Sequence, residues 1–225
     1  MPYPTITSML YAITDQALMA DQLYDQVEVA VAQGCTWVQY RDKSGASGQK
    51  REQAARLRDI CEAHSASLII NDDVDLAKTV NAHGVHLGQE DTPLAEARDR
   101  LGDRAIIGIT CHASPALALA AQEGGADYVA FGRFFPSTIK PTAPAAPLTI
   151  FSALRREINL PLVAIGGITP ANAGHLVGAG ADRLAVCGGL FGHGDVKTQM
   201  ARFNQAIRSV QYRYTRPDTQ PNIDS

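Results

Sequence analysis

The stretch GADYVAFG, residues 125–132, has three counterparts in the chain: GCTWVQY at 34–40, HGVHLG at 83–88 and GADRLAV at 180–186. Each reads as a helix-ending glycine followed at once by a short apolar strand. Glycine suits that position because helices commonly close in the left-handed region, where a Cβ is penalised. Working outward from these four, short apolar runs alternate with longer amphipathic ones up to about residue 209. The strands so predicted are Leu10–Thr14, Trp37–Arg41, Leu68–Asn71, Gly84–Leu87, Ile106–Thr110, Tyr128–Phe131, Leu162–Ile165 and Leu184–Val186. Their Val, Ile, Leu and aromatic content is that of parallel strands covered on both faces. Between them, Gln49–His64 and Pro115–Glu123 carry apolar residues at the three- and four-residue spacing of a helix. Eight strand–helix alternations predict an α/β chain closed as a single (β/α)8 TIM barrel, since an open doubly wound sheet rarely needs eight equal units. The barrel is expected over residues 1–209, with a polar tail over 210–225.

The bulk properties fit that reading and narrow the partners. A length of 225 residues matches one barrel. The net charge is -3 and the Lys and Arg residues form no run, so nucleic acid is not expected as a partner. Any anion must instead meet locally placed donors. No stretch approaches the ~18 apolar residues of a membrane span. The N-terminus lacks the basic and apolar regions of a signal peptide. Cys35, Cys61, Cys111 and Cys187 lie far apart with no CxxC pair, as reduced cysteines of a cytoplasmic protein would. The histidines show no HExxH spacing, so zinc is not expected. A homo-oligomer is left open.

In such a barrel, chemistry gathers where strands end and loops begin. The second strand runs into Gln39, Arg41, Asp42 and Lys43, the third into Asn71 and Asp72. The fourth passes through His86 to Gln89 and Asp91, and the fifth ends at Thr110 and His112. Lys140 follows the sixth strand, Gly166 and Gly167 the seventh, Gly188 and Gly189 the eighth. Strand starts show no such concentration. The glycine pairs let backbone N–H groups approach a phosphate without a Cβ between them. Asp72 and Asp91 follow neighbouring strands, so they could converge as the one or two carboxylates by which magnesium is usually held. The run N-D-D-V-D (71–75) reads equally well as a helix-capping cluster, and the two roles could fall to different members. Arg41, Lys43 and Lys140 could neutralise a diphosphate and stabilise charge on a leaving group. His86 reads as a core histidine bonded to backbone, whereas His112 could reach the site.

Seven segments together resemble the thiamine phosphate synthase family. They are YAITD (11–15), VQYRDK (38–43), IINDDVDLA (69–77), GVHLGQEDTP (84–93), GITCH (108–112), ADYVAFGRFFPSTIKP (126–141) and AIGGITPAN (164–172). The resemblance implies transfer of a hydroxymethylpyrimidine group from its diphosphate to thiazole phosphate, giving thiamine phosphate and pyrophosphate. It implies that Gln39, Tyr40, Arg41, Asp42, Lys43, Asn71, Thr110 and Lys140 contact the pyrimidine diphosphate. Asp72 and Asp91 would hold Mg2+. Ser137, Thr138, Ile139, Gly167, Cys187 and Gly188 would line the thiazole phosphate pocket. The implied mechanism is dissociative, with pyrophosphate leaving before the thiazole nitrogen captures the pyrimidine cation. Arg41, Lys43 and Lys140 carry the catalytic role in that scheme. The chain departs from the family at Ile139 and Gly188, where hydroxyl side chains are usual, and at Thr110, where serine is usual. A thiazole tautomerase on the same barrel is the alternative, opposed by the retained diphosphate residues and by Arg133 where a proton-transfer histidine is expected. A non-catalytic phosphate-ligand sensor is a third reading.

Overall fold

Parallel pairing of each strand with the next, and of the last with the first, closes the sheet into an eight-stranded barrel. The structure is a computed structural model that describes residues 9–43, 47–136 and 145–215. The strands are β1 Leu10–Ile13, β2 Trp37–Tyr40, β3 Ser67–Asn71, β4 Gly84–Leu87, β5 Ile106–His112, β6 Tyr128–Phe131, β7 Leu162–Ile165 and β8 Arg183–Val186. The helices between and after them are α1 Gln16–Met19, α2 Leu23–Ala32, α3 Ser47–Ala63, α4 Val74–Thr79, α5 Leu94–Leu101, α6 Pro115–Glu123, α7 Thr149–Leu154, α8 Pro170–Ala179, α9 Gly188–Phe191 and α10 Val196–Thr215. α10 continues past residue 209 because the first helix breaker after it is Pro217.

The two-residue side-chain period of the strands sorts the core into two shells. Outward residues such as Leu68, Val85, Ile107 and Val129 pack under the helices. Inward ones form a separate interior cluster of Tyr11, Ile13, Ile69, Tyr128, Ala130, Val163 and Ala185, with Trp37, Ile106, Ile165 and Cys187 against it. Gly108 opposes Tyr128 across the β5–β6 ladder, and a Cβ there would lie 1.9 Å from Tyr128 Cζ. The missing side chain is what admits the tyrosine ring to the barrel.

Three of the four glycine signatures behave as read. Gly34, Gly125 and Gly180 have φ of 90°, 83° and 110° just ahead of their strands. HGVHLG does not. There Asn81 makes the left-handed turn (φ 53°), and Gly84 is already the first residue of β4. Gly84 is required for another reason: a Cβ would sit 1.9 Å from the Ile106 carbonyl oxygen.

Strand starts also carry charge, contrary to the asymmetry expected from the sequence. Asp127 accepts from Ile107 N at 2.8 Å and Asp182 from Leu162 N at 2.7 Å, each reaching from one strand's entrance to the preceding strand. Arg98 and Arg155 neutralise them at 2.6 and 2.5 Å. These bottom-rim charges are satisfied by one another and staple adjacent strands. His83 holds the same place before β4, its Nδ1 accepting from Leu68 N at 3.0 Å. Burial, and then the charge of Arg58, hold the His83 imidazole below its ordinary pKa, with Glu62 opposing.

A depressed imidazole means that the unfolded chain takes up a proton which the folded chain refuses. Stability is therefore complete above the ordinary histidine value of about 6.5 and falls as the pH drops below it. In His83→Asp, a carboxylate would accept from Leu68 N as Asp127 and Asp182 do from their strands, and it stays ionised to about pH 5. The thermal midpoint of the parent should thus fall relative to the variant as the pH is lowered from 7.5 to about 5.5. Parallel midpoint curves would show that His83 staples nothing.

Candidate active site

Arg41 continues the inward parity of Trp37 and Gln39, which brings it to the mouth. Thr14, just beyond β1, ties the two strand ends together: its N–H donates to Gln39 O at 2.9 Å and its hydroxyl accepts from Arg41 N at 2.9 Å. Asp15 then divides its two oxygens. One caps α1 through Leu18 N, and the other pairs with Arg41 Nη1 at 3.2 Å. A charge-assisted contact of this kind fixes where the guanidinium points. Sequence reasoning did not single out Asp15, although the YAITD segment contains it. Tyr40 and Asp42 have the opposite parity. The Tyr40 hydroxyl turns into the helix layer and donates to Gln53 of α3 at 2.7 Å, and Asp42 Oδ2 lies 3.4 Å from that hydroxyl. The structure brings Gln39, Arg41 and Lys43 toward the mouth, while the Tyr40 hydroxyl is engaged by Gln53 in the helix layer.

The acidic run after β3 divides its roles. Asp73 is the N-cap of α4, accepting from Leu76 N at 2.8 Å, and Asp75 pairs with Arg100. Asp72 takes neither part. It stands in the left-handed region (φ 65°), its N–H donating to His86 O, with its side chain directed at the neighbouring strand ends. Its Oδ2 accepts from Asn71 Nδ2 at 2.7 Å and from Lys43 Nζ at 2.5 Å, and its charge acts on the carboxyl of Asp91 after the next strand. Asp91 is held from behind by Gly88 N at 2.7 Å.

Burial works to raise the Asp72 pKa, but hydrogen bonds from Lys43 and Asp91, with the Lys43 charge, outweigh it and leave the carboxyl below its ordinary value. Asp91 is pushed the other way, by burial and by the Asp72 carboxylate, against the Gly88 N–H. Neighbouring carboxyl groups repel when both are ionised, and a cation between them relieves that repulsion. Among the described residues no group of three His, Cys, Asp or Glu gathers for a metal. An ion on this pair would take the rest of its shell from water and substrate oxygens, as magnesium commonly does.

Below the mouth lies a polar chain that sequence reasoning missed. Gln39 Nε2 donates to Tyr11 OH at 2.8 Å, and Tyr11 OH meets Tyr128 OH at 2.8 Å. His86 Nδ1 meets Tyr128 OH at 2.9 Å, and His86 Nε2 meets Thr110 Oγ1 at 2.8 Å. His86 is thus bonded to side chains, not to the backbone as its sequence position suggested. The available signal was parity, since Tyr11 and Tyr128 share the inward face with Gln39, and a buried tyrosine hydroxyl needs a partner. His112 ends β5 exposed, at φ 51°.

The opposite rim is backbone and glycine. Gly166 and Gly167 have φ of 102° and 65°, and a Cβ on Gly167 would meet Pro136 O at 2.4 Å. A Cβ on Gly189 would meet Ile168 O at 2.1 Å, whereas one on Gly188 would meet nothing within 4 Å. Gly188 opens α9, which at four residues has little dipole to offer. Cys187 precedes it. Burial, with Asp15 adding and Arg41 opposing, pushes its thiol up to about 12, so it stands as a neutral group and not a nucleophile. All four cysteines are unpaired. Ser137, Thr138, Ile139 and Lys140 lie outside the described residues.

A closed (β/α)8 barrel whose carboxylates, ammonium and guanidinium share the C-terminal rim of its strands is a barrel of the enzyme class. Residues 10–190 match the family model described as thiamine monophosphate synthase, and the chain belongs to that family. A thiamine-phosphate synthase of Thioalkalivibrio sulfidiphilus is 52% identical over 195 residues, covering 86% of this chain and 92% of that protein. One of Saccharophagus degradans is 50% identical over 190 residues, covering 84% and 88%. The solved thiamine phosphate pyrophosphorylase of Pyrococcus furiosus superposes with a TM-score of 0.81 at 31% identity, over 91% of this chain and 97% of that one. Among the described residues no helix is long and apolar enough to cross a membrane.

Proposed function

We propose that this chain joins a hydroxymethylpyrimidine diphosphate to thiazole phosphate, releasing pyrophosphate and forming thiamine phosphate. The observation that carries the reading is the meeting of Lys43 and Asn71 on the Asp72 carboxylate at the C-terminal rim, with Asp91 held by Gly88 beyond the next strand and Arg41 on the same rim. A diphosphate offers only acceptors and negative charge, and this rim offers cations beside a carboxylate pair that itself favours a cation. Asp72 and Asp91 would hold Mg2+, which when bound neutralises diphosphate oxygens.

The chemistry asks little of acid–base groups. The carbon–oxygen bond to the diphosphate breaks with its electron pair leaving on pyrophosphate, and the thiazole nitrogen lone pair forms the new bond. That nitrogen carries no proton, so no general base is needed, and the neutral Cys187 thiol competes for nothing. What the chain supplies is stabilisation of a growing negative charge by Arg41 and Lys43, and by Lys140 as the resemblance implies. Gln39, Asn71 and Thr110 fix the pyrimidine end at the mouth, and Gly167 and Gly188 give the thiazole phosphate close access to backbone N–H groups. Pyrophosphate release should require both substrates together and cease when EDTA removes magnesium. Pyrophosphate released from the pyrimidine diphosphate alone as fast as from both substrates together, or release indifferent to EDTA, would contradict the proposal.

The open space at Gly188 makes a second expectation. Gly188→Ser places a hydroxyl, the group usual in the family, where no atom obstructs it. A hydrogen bond to a charged group contributes about 1.5–3 kcal/mol, or roughly 10- to 150-fold in affinity. Titration should show thiazole phosphate bound more tightly by the variant and the pyrimidine diphosphate almost unchanged. Unchanged thiazole phosphate affinity would mean that backbone donors already satisfy the phosphate.

A further inference from the structure

The polar chain inside the barrel has a direction. The Gln39 amide nitrogen can only donate, so Tyr11 oxygen accepts from it and has one proton left to give, to Tyr128. Tyr128, having accepted, gives its own proton to His86 Nδ1. A neutral imidazole whose Nδ1 accepts carries its proton on Nε2, and that N–H donates to Thr110 Oγ1. Thr110 therefore enters the chain as an acceptor, and its single hydroxyl proton is left for a group at the mouth.

The geometry resists rearrangement. Tyr11 and Tyr128 are both fully enclosed, at 1% and 0% exposure. The His86 ring stacks on Tyr128 at 5.5 Å, while Trp37 and Tyr11 press on the same ring at 4.9 and 5.9 Å. Five polar side chains in a barrel interior are costly unless each is satisfied, and apolar residues would fill the space at less cost. We infer that Tyr11, Tyr128 and His86 are positioning residues: they fix His86 as the Nε2–H tautomer and so commit the Thr110 hydroxyl to donate to the pyrimidine diphosphate. The commitment matters because the diphosphate and the ring nitrogens of such a ligand present lone pairs, and an accepting Thr110 would repel them. This rests on the function proposed above for the choice of ligand, but the tautomer itself does not.

The test begins with the unaltered protein. Nitrogen-15 spectra of histidine-labelled chain, recorded at about pH 8.5 where an ordinary imidazole is neutral, report which ring nitrogen carries the proton. The His86 signals are assigned by their loss in His86→Gln. The expected result is Nε2–H with Nδ1 unprotonated, and a mixed population in Tyr128→Phe. In that variant kcat/KM for the pyrimidine diphosphate should fall by about tenfold or more, with thiazole phosphate affinity unchanged. Thr110→Val, which needs no change at Tyr128, should show the same loss, and the two together no more than either. An Nδ1–H imidazole in the parent, or variants with unaltered kcat/KM, would overturn the inference. A parent inactive with both substrates would overturn the proposed ligand instead, and the spectrum would still read the tautomer.

Discussion

Asp72→Asn and Asp91→Asn should each lower turnover by about 100-fold or more, the scale seen when a group aimed at developing charge is removed. The thermal midpoint should move little. Asparagine is isosteric with aspartate and tolerates the left-handed backbone that Asp72 adopts at φ 65°. Helix α4 is capped by Asp73 and loses nothing. At Asp91 the amide oxygen can still accept from Gly88 N. Raising magnesium should partly rescue either variant, since one carboxylate of the pair remains. Full activity in one of them would remove that residue from the site. A large drop in midpoint would return Asp72 to a structural role.

Gly84→Ala should be strongly destabilising. The added Cβ would lie 1.9 Å from the Ile106 carbonyl oxygen, a backbone atom in the next strand that no rotamer change can move. Overpacking a well-filled core costs 1–3 kcal/mol even where side chains can yield, so a loss of at least ~3 kcal/mol is expected here. For a chain of this size that is about 6–12 °C in thermal midpoint, or failure to accumulate as folded protein. Gly48→Ala is the control, because nothing lies within 4 Å of its Cβ and it sits in helix α3. It should leave the midpoint level or slightly raised.

The eight strands were legible because parallel strands buried on both faces are apolar along their whole length, and the helices between them are not. The boundaries slipped where a side chain does something that composition does not reveal. β8 begins at Arg183, a charged residue that the apolar pattern passes over; its guanidinium lies 4.0 Å over the Trp37 ring. β5 runs on to His112 through a register shift after Thr110. At the site, parity along β2 separated Gln39, Arg41 and Lys43 from Tyr40 and Asp42, a division that a motif spanning 38–43 does not make. The N-D-D-V-D run could not be apportioned from sequence, because Asp72, Asp73 and Asp75 are chemically alike and only the backbone turn at Asp72 separates them. The Gln39–Thr110 chain was only partly legible, since parity puts its members on the inward face but does not pair them. Tyr11 and Tyr128 are 117 residues apart, and only barrel closure makes them partners.

Phosphorus NMR of one mixture tests the whole account most directly. Purified chain, magnesium, the pyrimidine diphosphate and thiazole phosphate are combined and the resonances followed to completion. The diphosphate ester signal should give way to pyrophosphate, and the thiazole phosphate signal to thiamine phosphate, one for one and at equal rates. Pyrophosphate appearing while thiazole phosphate persists would make the site a hydrolase of the diphosphate. A mixture that does not change would contradict transfer altogether.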